Sequence, residues 1–147
     1  MIATRLVRLI QTHSDELARG LAEKCLGSDR ISDMRKVPPD ELRQRAYDIY
    51  RNLNDWLLAK TESDIERTYT AIGARRAAQG VALSHLLGAI LLVKQHLFEF
   101  LNREGLVDRH VELFQELELL EMVDMFFDKA VYYAARGYER AAAARAA

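Results

Sequence analysis

The sequence is short of almost everything that would tie it to a chemistry. One of its 147 residues is cysteine, Cys25, so an internal disulfide and any CxxC metal or redox pair are excluded. Two prolines, side by side at Pro38-Pro39, and seven glycines leave too few turn breakers for an antiparallel sandwich. Neither charge is in surplus: twenty-one Lys and Arg face twenty-two Asp and Glu, a formal charge of −1. Nucleic-acid modules show a basic excess, so no nucleic-acid partner is expected. Long apolar runs are missing too. The most apolar stretch, Val81 to Val93, has 13 residues and contains Ser84 and His85. It is too short to span a bilayer, and no membrane partner is expected. No apolar core follows the first residues as a secretory signal requires, so the chain reads as cytoplasmic.

What is present is helix-forming. Leucine (21) and alanine (20) dominate, whereas Val, Ile and Thr together supply 20. The expectation is one all-α domain over 1–147, a five-helix bundle with a long C-terminal helix. The first helix is predicted from Thr4 to Leu26, with Leu6, Leu9, Ile10, Leu17 and Leu21 on one stripe, and a polar linker follows to Lys36. Pro38-Pro39-Asp40-Glu41 opens the second, whose stripe is Leu42, Ala46, Ile49, Leu53 and Trp56. Ser63 and Glu66 form a capping box for the third, with Thr61 a competing cap, and Gly80 ends it. The fourth runs from about Ala82 to Arg103, burying Leu83, Leu86, Leu87, Ile90, Leu97 and Leu101 before a stop at Gly105.

The fifth helix starts at an Asp108 cap. Its stripe alternates spacings of 4 and 3 through Leu113, Leu117, Leu120, Asp124, Phe127, Val131, Ala134 and Tyr138, a heptad seam with one polar member. Charge is uneven along it: seven acids and one base from Asp108 to Asp128, then four bases and one acid.

Candidate chemistry is sparse. Ile10, Ala82, Val93 and Val107 stand three places before the four histidines, so no Glu-x-x-His pair supports a di-iron site, and no metal ligands are assigned. His85 and His96 share a helix face but are ~16 Å apart, too far for one metal. His13 falls on an apolar stripe, and His110 is expected to be exposed. Neither a GxSxG nucleophile nor a glycine-rich phosphate loop occurs, and an enzyme is not expected. Gly73, Ala77 and Gly80 place small residues at spacings 4 and 3, which points to close helix packing. Trp56, Tyr69 and Phe127 read as core aromatics. Arg76 continues the buried stripe of the third helix. Asp124 therefore either pairs with Arg76 (or Arg75) across the bundle or turns outward. A second functional reading places Tyr69, Arg76, His85 and Asp124 around a small-molecule pocket between the third, fourth and fifth helices.

Three stretches carry a resemblance. They are Leu53-x-x-Trp56-Leu57; Tyr69-x-x-Ile72-Gly73-x-x-Arg76-Ala77-x-x-Gly80-Val81-x-Leu83; and Phe126-Phe127-Asp128-x-Ala130-x-x-Tyr133-x-x-x-Gly137-Tyr138-Glu139. Together they resemble the N-terminal domain of the RsbR/RsbRD group, stressosome proteins described as RsbT co-antagonists. The resemblance implies a bacterial, non-enzymatic sensory domain that dimerises and is typically followed by an output domain. It also implies a globin-like fold without haem, so no cofactor is expected. A haem sensor is disfavoured by the residues as well, because the third helix, where a proximal ligand would sit, has no histidine. The chain departs from the family pattern by stopping where an output domain would begin. Residues 138–147 then fit either the start of a signalling linker or a terminus.

Overall fold

The computed structural model describes residues 4–104 and 110–146, with side chains for all of these except Thr4 and 110–113. Gly105, the Asp108 cap, and the side chains of His110 and Leu113 lie outside the described residues. Every described element is helical, and there are eight of them rather than five. They are α1 (Thr4–Thr12), α2 (Ser14–Gly27), a 3₁₀ segment (Asp29–Lys36), α3 (Pro39–Arg51), a π turn (Asp55–Ala59), α4 (Glu62–Ala78), α5 (Leu83–Glu104) and α6 (His110–Ala146).

The expected first helix is two, because it breaks at His13 (φ −100°, ψ 17°). There His13 Nδ1 donates to the Leu9 carbonyl at 2.9 Å, and Ser14 Oγ donates to the Gln11 carbonyl at 2.8 Å. Both side chains bond to carbonyls of the preceding turn, the Leu9 carbonyl also keeping the His13 N–H at 3.2 Å, a pattern that bends helices. The ring of His13 packs on Phe100, 5.5 Å between centroids, which holds the bend against α5. The polar linker is the 3₁₀ segment, pinned by the buried Ile31 and Met34. The capping box of α4 belongs to Thr61 and Asp64, not to Ser63 and Glu66. Thr61 Oγ1 accepts from the Asp64 N–H at 3.2 Å, and the Asp64 carboxylate accepts from the Thr61 N–H at 2.9 Å.

The stripe Leu42, Ala46, Ile49, Leu53 and Trp56 is buried along its whole length. It faces α2 through the body of α3, and Trp56 carries it across the π turn to α6. On α5, Leu86, Ile90, Leu97 and Leu101 are buried as expected, while Leu83 and Leu87 are half-buried.

The heptad seam of α6 is the main correction. Leu117 is 52% exposed, Asp124 is exposed, and Leu120, Val131 and Tyr138 are half-buried. The buried face is instead Glu116, Leu119, Val123, Phe126, Phe127, Ala130, Ala134 and Gly137. A straight helix turns 3.6 residues per turn, so a strict 4/3 repeat slips about 20° per heptad. The expected seam therefore starts outside at Leu117 and reaches the core at Phe127 and Ala134.

Bare backbone sets the rotation of α6. A Cβ on Gly73 of α4 would lie 2.0 Å from the Ala134 carbonyl oxygen, and one on Gly137 of α6 would lie 2.1 Å from the Thr70 carbonyl oxygen. Close packing through Gly73, with Ala77 buried one turn on, is as the spacing implied. Gly80 differs: it packs against nothing close, and it ends α4 in a left-handed conformation (φ +79°). The Gly80 N–H bonds to the Ala77 carbonyl and the Val81 N–H to the Arg76 carbonyl, a Schellman stop. Past this turn α6 stays engaged, with Tyr138 Oη donating to the Val81 carbonyl at 2.6 Å and Arg145 Nη1 to the Ala77 carbonyl at 3.2 Å.

Gly73→Ala and Gly137→Ala should each force α4 and α6 apart, costing about 2–4 kcal/mol. Gly27→Ala, whose Cβ would meet nothing within 4 Å, should be neutral or stabilising by about 0.5 kcal/mol. Urea unfolding of the three variants checks this, and equal effects would count against the backbone contact.

Candidate functional site

The four residues expected around one pocket go to four places. Tyr69 is buried in an aromatic cluster, its ring 6.1 Å from Trp56 and 5.8 Å from Phe126. Burial pushes its hydroxyl far above the usual tyrosine range. His85 accepts the backbone N–H of Asp33 on Nδ1 at 3.0 Å, while Asp33 accepts the Ala82 N–H at 2.9 Å. That exchange ties the 3₁₀ segment to the start of α5. Asp124 is exposed and pairs with Lys94 at 2.8 Å, so of the two alternatives it turns outward. Arg76 pairs with Glu41, not with Asp124.

Of the four, Arg76 has the surroundings of a site. It is 2% exposed, on the inner face of α4. Its Nη1 donates to Glu41 Oε1 at 2.6 Å and to Gln79 Oε1 at 2.9 Å. Arg75, on the solvent side, donates from Nη2 to Glu41 Oε2 at 3.0 Å. Glu41 sits in the first turn of α3, where the prolines start the helix and an acid suits its dipole. Its carboxyl is held down at about 2, chiefly by the hydrogen bond from Arg75, with Arg76 adding and burial opposing. Sequence reasoning missed Glu41 as the partner of Arg76, having assigned it only to the helix start.

Behind Arg76 lies an apolar cavity of about 60 Å³, walled by Leu21, Cys25, Met34, Leu86 and Ile90 among others. Burial raises the Cys25 thiol to about 11, so it stays protonated and inert. On the other side of Arg76 and Ile72 an open groove carries Arg45, Arg67 and Arg75. A guanidinium thus separates an apolar space from a basic groove.

A further set of polar ties holds α2 to α5. His96 Nε2–H donates to the Leu17 carbonyl at 3.1 Å, which leaves Nδ1 to accept from Lys24 Nζ at 2.7 Å. Burial first, and the Lys24 charge second, keep His96 below its ordinary pKa. Among the described residues no group of three or more metal-ligating side chains gathers, and no helix is long and apolar enough to cross a membrane.

The outer face of α6 is a second candidate surface. Phe114 (76% exposed), Leu117, Met125 and Tyr132 (57%) form a row opposite the buried face. Comparison with known proteins places the chain. It matches, over residues 2–147, the family described as the RsbT co-antagonist protein rsbRD N-terminal domain. The chain belongs to this family. No match was found among curated proteins or among solved structures.

The residues that resemble the RsbRD N-terminal domain are those that meet where α4 crosses α6. Trp56 and Tyr69 both pack on Phe126. Gly73 touches the backbone at Ala134, Gly137 touches that at Thr70, and Tyr138 bonds to Val81. The stretches that carry the resemblance therefore hold packing positions.

Glu41→Gln should destabilise the domain by about 2–4 kcal/mol at neutral pH, because it strips a buried guanidinium of its carboxylate. The sign of the acid dependence follows from the lowered pKa. Glu41's contribution is complete above its ordinary 4.5 and is lost as pH falls toward 2. Acid titrations of stability should thus be shallower for Glu41→Gln over that interval, and an unchanged slope would show that the pair contributes nothing.

Proposed function

We propose that this RsbRD N-terminal domain is a non-enzymatic bacterial regulatory module of the cytoplasm. It pairs with a second copy and relays a signal to a C-terminal output domain or a stressosome-type protein partner. The observation that carries the reading is the exposed apolar row on α6, opposite the face that the helix commits to the core. Large apolar side chains repeated along one helix face mark an interaction surface in a water-exposed protein. Relay would consist of a shift between two arrangements of packed helices, with a stimulus binding one better than the other. The globin-like arrangement belongs to this reading, with α5 and α6 as its two long closing helices.

The domain should sediment as a dimer at micromolar concentration. Leu117→Glu combined with Met125→Glu should weaken association by roughly tenfold or more while leaving thermal stability nearly unchanged. A strict monomer at millimolar concentration would overturn the reading.

A second reading rests on Arg76. A buried guanidinium beside an apolar cavity suits a small acid with an apolar tail, its carboxylate replacing Glu41. Short straight-chain monocarboxylic acids should then raise the midpoint of thermal unfolding, and Arg76→Gln should abolish the rise. No rise with any chain length would remove this reading.

A further inference from the structure

The exposed row on α6 is not uniform in charge. Before its midpoint the outward side chains between the apolar residues are acidic, Glu121 and Asp128. Beyond it come Arg136, half-buried, and Arg140, exposed, with the exposed Glu139 between them, while Lys129 turns toward α4 and pairs with Glu62 at 3.3 Å. Across the helix as a whole, residues 110–128 hold six acids and no base, while 129–146 hold four bases and one acid. In parallel pairing, two such helices set Glu121 against Glu121 and Asp128 against Asp128, and like charges directly opposed are unfavourable.

From this charge reversal we infer that the partner is a second copy of the chain, with the two α6 helices crossing antiparallel about the point between Asp128 and Lys129. The inference rests on the proposed dimer and adds its register. Counting outward from that point, Met125 faces the other copy's Tyr132, and Glu121 faces Arg136. Leu117 faces Arg140, whose methylene stem can cover it. Lys129, beside the two-fold axis, is held by Glu62 of its own chain, so the two symmetry-related Glu121 and Arg136 pairs make the surface self-complementary, as an isologous interface must be. A like-charged pairing, Glu118 opposite Glu139, is flanked by Arg136 and Arg140. Arg136 is already held over the ring of Tyr132, 5.7 Å from its centroid, so the cation is presented on this face.

Charge reversal with rescue tests the register. Glu121→Arg alone and Arg136→Glu alone should each weaken the dimer roughly tenfold by sedimentation equilibrium, and the double variant should return close to the native affinity. Mixing Met125→Cys with Tyr132→Cys chains should give an intermolecular disulfide faster than either chain alone, since native Cys25 is buried. A dimer whose double variant is no tighter than the singles overturns the antiparallel register and leaves the dimer standing. A chain that never dimerises overturns both.

Discussion

The close approach of α4 and α6 is the constraint on which the rest of this domain depends. At Gly73 and Gly137 the two helices meet backbone to backbone, with no room for a methyl group on either side. Everything else about α6 follows from that contact. It fixes which residues enter the core, which brings Phe126 against Trp56 and Tyr69, and it turns Leu117, Met125 and Tyr132 to solvent. It also sets Arg145 over the Ala77 carbonyl at the end of α4, where a Schellman turn and the arginine satisfy groups that a helix end leaves open, and Tyr138 over the Val81 carbonyl just beyond it.

Polar groups finish the assembly at its edges. Glu41 joins α3 to α4, Asp33 and His85 join the 3₁₀ segment to α5, and Lys24 with His96 joins α2 to α5. Each tie links elements distant in sequence, so each adds to the specificity of the arrangement more than to local helix formation. The buried Glu116 on α6 has Arg5 of α1 within 3.3 Å, which brings the chain's first helix to its last.

Helix content was legible wherever periodicity and end signals agreed. The α3 stripe from Leu42 to Trp56, the end of α4 at Gly80 and the close packing at Gly73 all follow from residue spacing. What escaped was rotation and pairing. A 4/3 repeat on α6 looked like a seam, yet a straight helix carries such a repeat around its own axis, and only a partner helix decides where it enters the core. Arg76 was rightly placed at a buried edge. Its partner, Glu41, lies 35 positions earlier on another helix, and nothing local distinguishes Glu41 from any acid at a helix start. The break at His13 was hidden for a similar reason, since the ring that holds it, Phe100, is on α5. The candidate pocket failed as a unit because Tyr69, Arg76, His85 and Asp124 were joined by polarity alone, with no geometry linking them.

A joint made of peptide backbone has no rotamers to absorb a displacement. Side chains at an ordinary helix interface can flex and let two helices slide by fractions of an ångström, but the Gly73 and Gly137 crossing has no such slack. α4 and α6 therefore move together or separate altogether. Any graded motion in this domain must fall to the other helices, α1, α2, α3 and α5, swinging against a stiff two-helix frame.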